Sequence, residues 1–246
     1  MRSLTPEQSV AFAREFKLAR ANALRDAEAF DELLFAIERF GSYITRTNDG
    51  LADLKSGISQ IASQSVFFED APRKWKGIHT HFDSLYESVR IGRNDALHQG
   101  SVARHLAQNA QELAILLEDA LMSNARTAAD VMVRDPICAE TWQPLSSIRR
   151  TMLLNSFSFL PCRREKDGWR LISDSSLVKF LGTRDGRNKR LLMSLEEAMA
   201  GIDDLSPHLC ASTTSIDKLA TTIDDIPYLV VDNEHLLGIV TAFDLL

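Results

Sequence analysis

The stretch that decides the fold of the C-terminal half is IPYLVVDNEHLLGIVTAFDLL, residues 226–246. It contains an apolar, β-rich run (PYLVV), a short polar turn and a second β-rich run (LLGIV). A hydroxyl residue, Thr241, then opens a helical pattern. Short apolar runs bounded by turn residues are typical of strands, so this order predicts two strands joined by a tight turn and followed by a helix.

The same order of elements occurs once more in the chain. It is found in LPCRREKDGWRLISDSSL, residues 160–177, and an amphipathic helical pattern precedes each copy (LSSIRRTMLL and TSIDKLATTI). The repeat therefore predicts a strand-helix-strand-strand-helix unit that occurs twice. Because each unit has an apolar sheet face to bury, we expect the two copies to pack against each other. The basic segment GTRDGRNKR, residues 182–190, lies between them and is predicted to be a linker.

This repeat resembles the CBS (cystathionine β-synthase) domain pair, also called a Bateman module. The resemblance covers roughly residues 125–246 and places CBS motif 1 at 125–182, a linker at 183–194 and CBS motif 2 at 195–246. In this family the cleft between the motifs often binds an adenine nucleotide, and the resemblance implies AMP, ADP or ATP as a regulatory ligand. The family's strand end has the form G-h-x-[S/T]-x-x-[D/N], where h is apolar. Its hydroxyl residue and its acid hold the ribose and help to position the phosphates.

The second copy matches this pattern in full, and the first copy matches it in part. Gly238, Thr241 and Asp244 fit the second copy, whereas Ser173 takes the hydroxyl position of the first copy and Ser176 stands where the acid should be. Since a serine accepts hydrogen bonds from two ribose hydroxyls less well than a carboxylate does, we expect one good nucleotide site and one degraded site. The same residues are also suitable helix N-caps, a role that requires no ligand. A helix N-terminus favours an anion too, so the two roles are compatible.

The first half of the chain has a different pattern. Apolar residues recur at helical spacing in FDELLFAIERFGSYI (30–44), in FDSLYESV (82–89) and in VARHLAQNAQELAILLEDALM (102–122). Before residue 125 there is no convincing β-rich run. We therefore predict an all-helical bundle over residues 1–124, with loops near residues 45–50, 68–77 and 92–100. The predicted fold class is an α-helical domain followed by an α/β domain pair.

One segment of this bundle, VRIGRNDALHQG (89–100), contains candidate chemistry. In the simplest interpretation Gly92 ends one helix at a positive φ angle and Asn94 or Asp95 caps the next. In a continuous helix Arg93 and His98 would be about 140° apart around the axis and would point away from each other. They converge only if the segment is irregular or if a second subunit contributes.

An all-helical domain with R-x4-6-H, and with a polar residue directly after the arginine, is similar to the HEPN (higher eukaryote and prokaryote nucleotide-binding) superfamily. Catalytic members are metal-independent ribonucleases that dimerise across this motif. The resemblance implies that His98 acts as general base or acid on the RNA 2′-hydroxyl, that Arg93 holds the scissile phosphate and that Asn94 orients one of these groups. The expected products are a 2′,3′-cyclic phosphate and a 5′-hydroxyl, and no metal is expected. Many members have lost catalysis and serve in dimerisation or nucleotide sensing.

Composition and charge argue against several classes of protein. The net charge of −6 over 246 residues gives no generic attraction to nucleic acid or to an anionic membrane, so any RNA contact must be local. Three dispersed cysteines form no C-x-x-C pair, which argues against a disulfide framework and a structural zinc site. The opening residues contain no apolar signal core, and no apolar run reaches membrane-spanning length, so we expect a cytoplasmic protein.

Two functional hypotheses follow from the two resemblances together. The first is a homodimeric, adenine-nucleotide-regulated ribonuclease of toxin-like or defence type. The second is a non-enzymatic regulator in which the CBS pair senses nucleotide, the helical domain dimerises and a protein partner carries the output.

Overall fold

A computed structural model describes residues 2–25, 30–96, 102–123, 125–165, 167–182 and 186–246. The chain divides into two compact units, Met1–Ala125 and Arg126–Leu246. His98, one of the predicted catalytic residues, lies outside the described residues.

The first unit is helical in the residues that the structure describes, as the apolar spacing predicts. Its helices are α1 (Pro6–Arg25), α2 (Phe30–Thr45), α3 (Leu51–Ala62), α4 (Asp70–Lys74), α5 (Phe82–Ala96) and α6 (Val102–Met122). Its core is mainly aliphatic and also contains Phe16, Phe40, Phe82 and Tyr86, which are almost completely buried. The Tyr86 hydroxyl donates a hydrogen bond of 2.7 Å to the Leu51 carbonyl, so the polar end of this buried ring has a partner.

Helix α5 continues through Gly92 to Ala96, so the predictions of a helix end at Gly92 and of a cap at Asn94 or Asp95 are wrong. Gly92 is buried, and a Cβ at this position would lie 3.0 Å from Leu106 Cδ1 in α6. The glycine is therefore explained by the close approach of two helices and not by a turn.

The second unit alternates helices and strands. Its elements are α7 (Ala128–Val131), β1 (Val133–Arg134), α8 (Leu145–Asn155), β2 (Phe159–Arg164), β3 (Gly168–Ser173), α9 (Asp174–Leu181), α10 (Arg187–Leu191), α11 (Leu195–Ala198), β4 (His208–Cys210), α12 (Ile216–Thr222), β5 (Tyr228–Asp232), β6 (His235–Val240) and a C-terminal 3-10 helix (Ala242–Leu245). The four β-rich runs in the sequence correspond to β2, β3, β5 and β6, which confirms the predicted hairpins.

Each copy of the repeat is built around one antiparallel hairpin. One sheet has the strand order β1-β6-β5-β4, with β4 parallel to β5, and the other consists of β2 and β3. The β5–β6 turn has two residues, Asn233 and Glu234, with φ angles of 44° and 72°. Positive φ at both turn residues matches the twist of a hairpin.

The two copies exchange their entry segments. Strand β1, which precedes the first copy, pairs with β6 of the second, and Leu205, which precedes the second copy, forms a bridge to Leu171 in β3 of the first. The cores follow the same exchange. Leu195 of α11 packs in the core of the first copy with Leu145 and Ile172, and Ala128 of α7 packs in the core of the second copy with Leu219 and Val230.

Matching hydrogen bonds hold the two exchanged helices. The Ala128 N–H donates to the Thr214 carbonyl (2.7 Å), and the Leu195 N–H donates to the Gln143 carbonyl (2.8 Å). These carbonyls lie just before helices α12 and α8, so corresponding points of the two copies make the same contact. Residues 125–134, which the sequence resemblance assigned to motif 1, thus contribute to the core of the second copy.

Part of the predicted linker is helical. Helix α10 lies within residues 183–194, and Arg190 donates from Nε (3.0 Å) and Nη2 (2.8 Å) to the Leu181 carbonyl at the end of α9. Gly182 and Gly186 have φ angles of 60° and 76°, which glycine adopts without a steric penalty and which place the chain for this contact.

Candidate functional site

The hydroxyl–acid pair of the second copy lies where β6 ends. The carboxylate oxygen Oδ2 of Asp244 accepts hydrogen bonds from the Thr241 N–H (2.9 Å) and from the Thr241 hydroxyl (2.8 Å). Both residues are half-buried. The pair therefore caps the C-terminal 3-10 helix and presents a hydroxyl and a carboxylate at a partly open position.

The corresponding pair of the first copy is less accessible. The Ser173 hydroxyl accepts from the Ser176 N–H (3.0 Å), and the Ser176 hydroxyl donates to the Ser173 carbonyl (2.8 Å). Both serines are 4% exposed, so their polar atoms bond to each other and cap helix α9. The two copies thus differ both in chemistry and in access at this position.

Gly238 is explained by packing. A Cβ at this position would lie 2.7 Å from Met132 Sδ and 2.8 Å from the Val133 carbonyl oxygen. The glycine lets β1 approach β6 closely, which is the contact on which the exchange of entry segments depends.

Arg93 of the first unit forms an ion pair with Glu38 of α2. Its Nε lies 2.9 Å from Oε1 of Glu38, and its Nη2 donates to Oε2 at 3.2 Å. The Glu38 side chain is 19% exposed and that of Arg93 is 40% exposed. Burial raises the pKa of Glu38, and the charge of Arg93 lowers it in part.

Glu38 was not among the candidate residues, although the sequence contains a signal for it. It stands between the buried residues Ile37 and Phe40 in an otherwise apolar helix stripe. A carboxylate at such a position needs a cationic partner. The spacing of the stripe does not reveal that this partner is Arg93.

The structure places only part of the predicted catalytic set. Arg93 and Asn94 lie in the last turns of α5, and the Asn94 side chain, like His98, lies outside the described part of the chain. Arg93 is brought together with Glu38, and its relation to His98 stays a prediction.

A surface cleft of about 420 Å³ lies on the second unit, next to the β5–β6 turn. Its lining includes Arg163, Trp169 and the three carboxylate residues Asp135, Glu140 and Glu234. The Trp169 indole N–H donates to the Glu234 carbonyl (2.9 Å), and Arg163 forms an ion pair with the Glu234 carboxylate. Carboxylates outnumber cations here, so the cleft is poorly suited to an anionic phosphate.

Among the described residues, no group of three or more His, Cys, Asp or Glu side chains is arranged to hold a metal ion. The described helices include none with the length and apolar character needed to span a bilayer.

Burial raises the pKa of both Cys138 and Cys162 to about 11, which keeps these thiols protonated and unreactive at neutral pH.

No protein-family model and no curated protein matches this chain. Among solved structures, its neighbours are CBS-domain pair proteins that match about half of the chain. A CBS-domain containing protein from Agrobacterium tumefaciens is 15% identical, with a TM-score of 0.39 over 49% of this chain and 91% of the other. The CBS-pair protein CBSX2 from Arabidopsis thaliana is 15% identical, with a TM-score of 0.39 over 48% and 90%. A structure of CBSX2 in complex with AMP is 17% identical, with a TM-score of 0.36 over 48% and 94%.

Proposed function

We propose that the C-terminal unit is a CBS domain pair that binds an adenine nucleotide and regulates the helical unit of a cytoplasmic homodimer. The observation that carries this proposal is the position of Thr241 and Asp244. They stand at the end of β6, in the copy that receives the exchanged segment β1, and present a hydroxyl and a carboxylate together.

The chemistry of this pair suits a ribose. A carboxylate accepts hydrogen bonds from both ribose hydroxyls, and the threonine hydroxyl both donates and accepts. The N–H groups at the start of the 3-10 helix add donors near the phosphates. In the first copy Ser176 replaces the acid and is buried, so we propose one nucleotide per chain, bound at the second copy.

Calorimetric titration of the full-length protein with AMP, ADP and ATP tests this site, with AMP as the first probe because CBSX2 has been solved with it. We expect saturable binding of one nucleotide per chain. The Asp244→Asn variant should weaken it by about tenfold, the value of roughly one charged hydrogen bond.

The chain supplies a matched control for this variant. Asp130 accepts from the Thr127 N–H (2.9 Å) and from the Thr127 hydroxyl (3.0 Å), the same two bonds that Asp244 accepts from Thr241. Asp130→Asn should therefore perturb a cap without weakening nucleotide binding. Equal losses in the two variants would assign Asp244 to capping alone, and absence of binding in the wild type would refute the proposal.

A metal-independent ribonuclease is the second candidate, and it concerns the helical unit. The observation that favours it is the orientation of Arg93, whose guanidinium is fixed by Glu38 and remains partly exposed. A guanidinium held in this way is suited to stabilise charge that develops on a phosphate. In this proposal Arg93 holds the scissile phosphate, Asn94 orients it, and His98 removes the 2′-hydroxyl proton. The 2′-oxygen then forms a bond to phosphorus as the bond from phosphorus to the 5′-oxygen breaks. The 5′-oxygen takes up a proton from protonated His98 or from water, which gives a 2′,3′-cyclic phosphate and a 5′-hydroxyl.

Cleavage of RNA by the purified protein in EDTA, with and without AMP or ATP, tests the second candidate. Arg93→Ala and His98→Ala should abolish cleavage. Arg90→Ala should retain it, because Arg90 lies on the same helix and pairs with its neighbour Glu87. A nucleotide effect on the cleavage rate would link the two units, since a ligand favours the state that it binds more tightly. Nucleotide binding without cleavage would favour the alternative hypothesis, a non-enzymatic regulator whose output is carried by a protein partner.

A further inference from the structure

The helical unit has an open groove between α1 and α2. The two helices run antiparallel, because Glu15 forms an ion pair with Arg39 at one end and the Asn22 amide donates to Glu32 (2.7 Å) at the other. Between these polar ends the groove has a volume of about 430 Å³.

The middle of this groove is apolar. Ala19 and Ala36 form its floor and are buried, whereas Leu18 and Phe35 stand at its rim with 64% and 58% of their surface exposed. Large apolar side chains that remain exposed beside a concave surface are typical of an interaction site.

We propose that this groove, together with the Phe35 rim, is the contact surface of a homodimer in which α2 packs antiparallel against α2 of a second copy. The inference rests on the proposed homodimer and names its surface. Helix α2 is complementary to itself, and this complementarity selects a second copy of the chain as the occupant.

That complementarity follows from the spacing along α2. Glu32, Phe35 and Arg39 follow one another at spacings of three and four residues and therefore lie on one face of α2. A twofold axis between positions 35 and 36 brings the exposed Phe35 side chains of the two copies together beside the axis. The same axis sets Arg39 of each copy opposite Glu32 of the other, because the two positions lie at equal distances on either side of it.

The contact between Arg39 and Glu32 in such a pairing is favourable and occurs twice, because a twofold interface is self-complementary. The two Phe35 rings cover the apolar part of the groove and bury surface that is exposed in the single chain. The Arg39 side chain is 64% exposed in its ion pair with Glu15, so its guanidinium can also reach a carboxylate of the second copy. Parallel packing would instead set Arg39 against Arg39 and Glu32 against Glu32.

The same surface lies close to the Arg93–Glu38 ion pair. Glu38 follows Phe35 by three residues, so its Cα is about 4.5 Å further along the helix and about 60° around it. The proposed axis thus places the Glu38 residues of both copies at the edge of one interface.

Cross-linking of full-length chains tests the register directly. A mixture of Glu32→Cys and Arg39→Cys chains should form a disulfide between copies under mild oxidation. The wild-type chain, which has only the native cysteines, should not form it. Absence of this cross-link would overturn the proposed surface.

Charge reversal gives a second readout by analytical ultracentrifugation. Arg39→Glu and Glu32→Arg should each raise the dimer dissociation constant of the full chain, and the double variant should restore it. Leu24→Glu is the control, because Leu24 is an exposed residue of α1 outside the groove lining. A dissociation constant that none of these substitutions changes would refute the proposed surface but not the homodimer. A wild-type protein that is monomeric at all concentrations would refute both.

Discussion

Arg93 in α5 and Glu38 in α2 form an ion pair through two pairs of atoms. Nε of Arg93 lies 2.9 Å from Oε1 of Glu38, and Nη2 lies 3.2 Å from Oε2. Glu38 also interacts electrostatically with the buried Tyr86 hydroxyl. Burial raises the pKa of the Tyr86 hydroxyl, and the negative charge of Glu38 raises it further. Glu38 is thus a mostly buried anion whose main neutralising group is the guanidinium that the sequence marks as catalytic.

Removal of the arginine should therefore destabilise the helical unit. In Arg93→Ala the Glu38 carboxylate loses its cation, and we expect a cost of about 1 kcal/mol, since the partly exposed pair is screened by water. Chemical denaturation at pH 7 measures this cost. It should shrink as the pH falls toward the raised pKa of Glu38, because a protonated carboxyl group needs no cation.

The double variant Arg93→Ala with Glu38→Gln separates charge from packing. The neutral amide leaves no buried anion, so the double variant should be more stable at pH 7 than Arg93→Ala alone. If the second substitution recovers no stability, the loss comes from packing of the arginine stem and the account of the ion pair is wrong.

A second prediction concerns the capping box of α11. The Ser194 N–H (2.8 Å) and hydroxyl (3.0 Å) both donate to Glu197, and these bonds, the backbone one first, hold the pKa of Glu197 below its ordinary value of 4.5. A lowered pKa contributes stability above the unfolded-state value, and this stability is lost as the pH falls through the folded-state value. The Glu197→Gln variant should lose stability at pH 7 and show a flatter acid limb.

Thermal melting between pH 7 and pH 3 measures this difference. The control is Glu196→Gln, which changes the neighbouring exposed carboxylate outside the capping box. The same flattening in both variants would show that the effect is one of net charge and not of the cap.

The hairpins were predictable because alternating β-rich runs and turn residues are local signals, and β5–β6 needs only the residues between Tyr228 and Val240. The exchange of entry segments was not predictable, since Val133 pairs with Ile239 more than a hundred positions away and nothing local distinguishes this partner from one in its own copy. At the candidate sites, Thr241 and Asp244 follow a local motif. The Arg93–Glu38 pair was not predictable in the same way, because its two residues lie in different helices. The role of Gly92 was misassigned because close helix packing and helix ends both favour glycine.

The third prediction concerns Gly238. An added methyl group would meet Met132 Sδ and the Val133 carbonyl, so Gly238→Ala should displace β1 from β6 and cost about 1–3 kcal/mol. Denaturant unfolding of the full chain measures the change, with Gly50→Ala as the control because a Cβ there meets no atom within 4 Å.

Truncation of the neighbouring methionine tests the same contact. Because Met132 is itself a buried core residue, the comparison is a double-mutant cycle. Gly238→Ala should cost less stability in a Met132→Ala background than in the wild type, but it should still cost some, because the backbone carbonyl of Val133 remains in the way. A Gly238→Ala protein as stable as the wild type would contradict the close approach of β1 and β6.

The last prediction follows from the exchange itself. Leu195 belongs to the core of the first copy and Leu219 to that of the second, and the helices that exchange are bonded to the start of α8 and α12. Neither copy can open without pulling its entry segment out of the other, so the C-terminal unit should unfold as one cooperative block. Leu195→Ala and Leu219→Ala each remove a fully buried side chain and should cost about 2–5 kcal/mol. Either variant should lower protection of the β2–β3 and β5–β6 amides together in hydrogen-exchange mass spectrometry. Loss of protection confined to the hairpin whose core contains the substituted leucine would show that the exchanged segments do not couple the two cores.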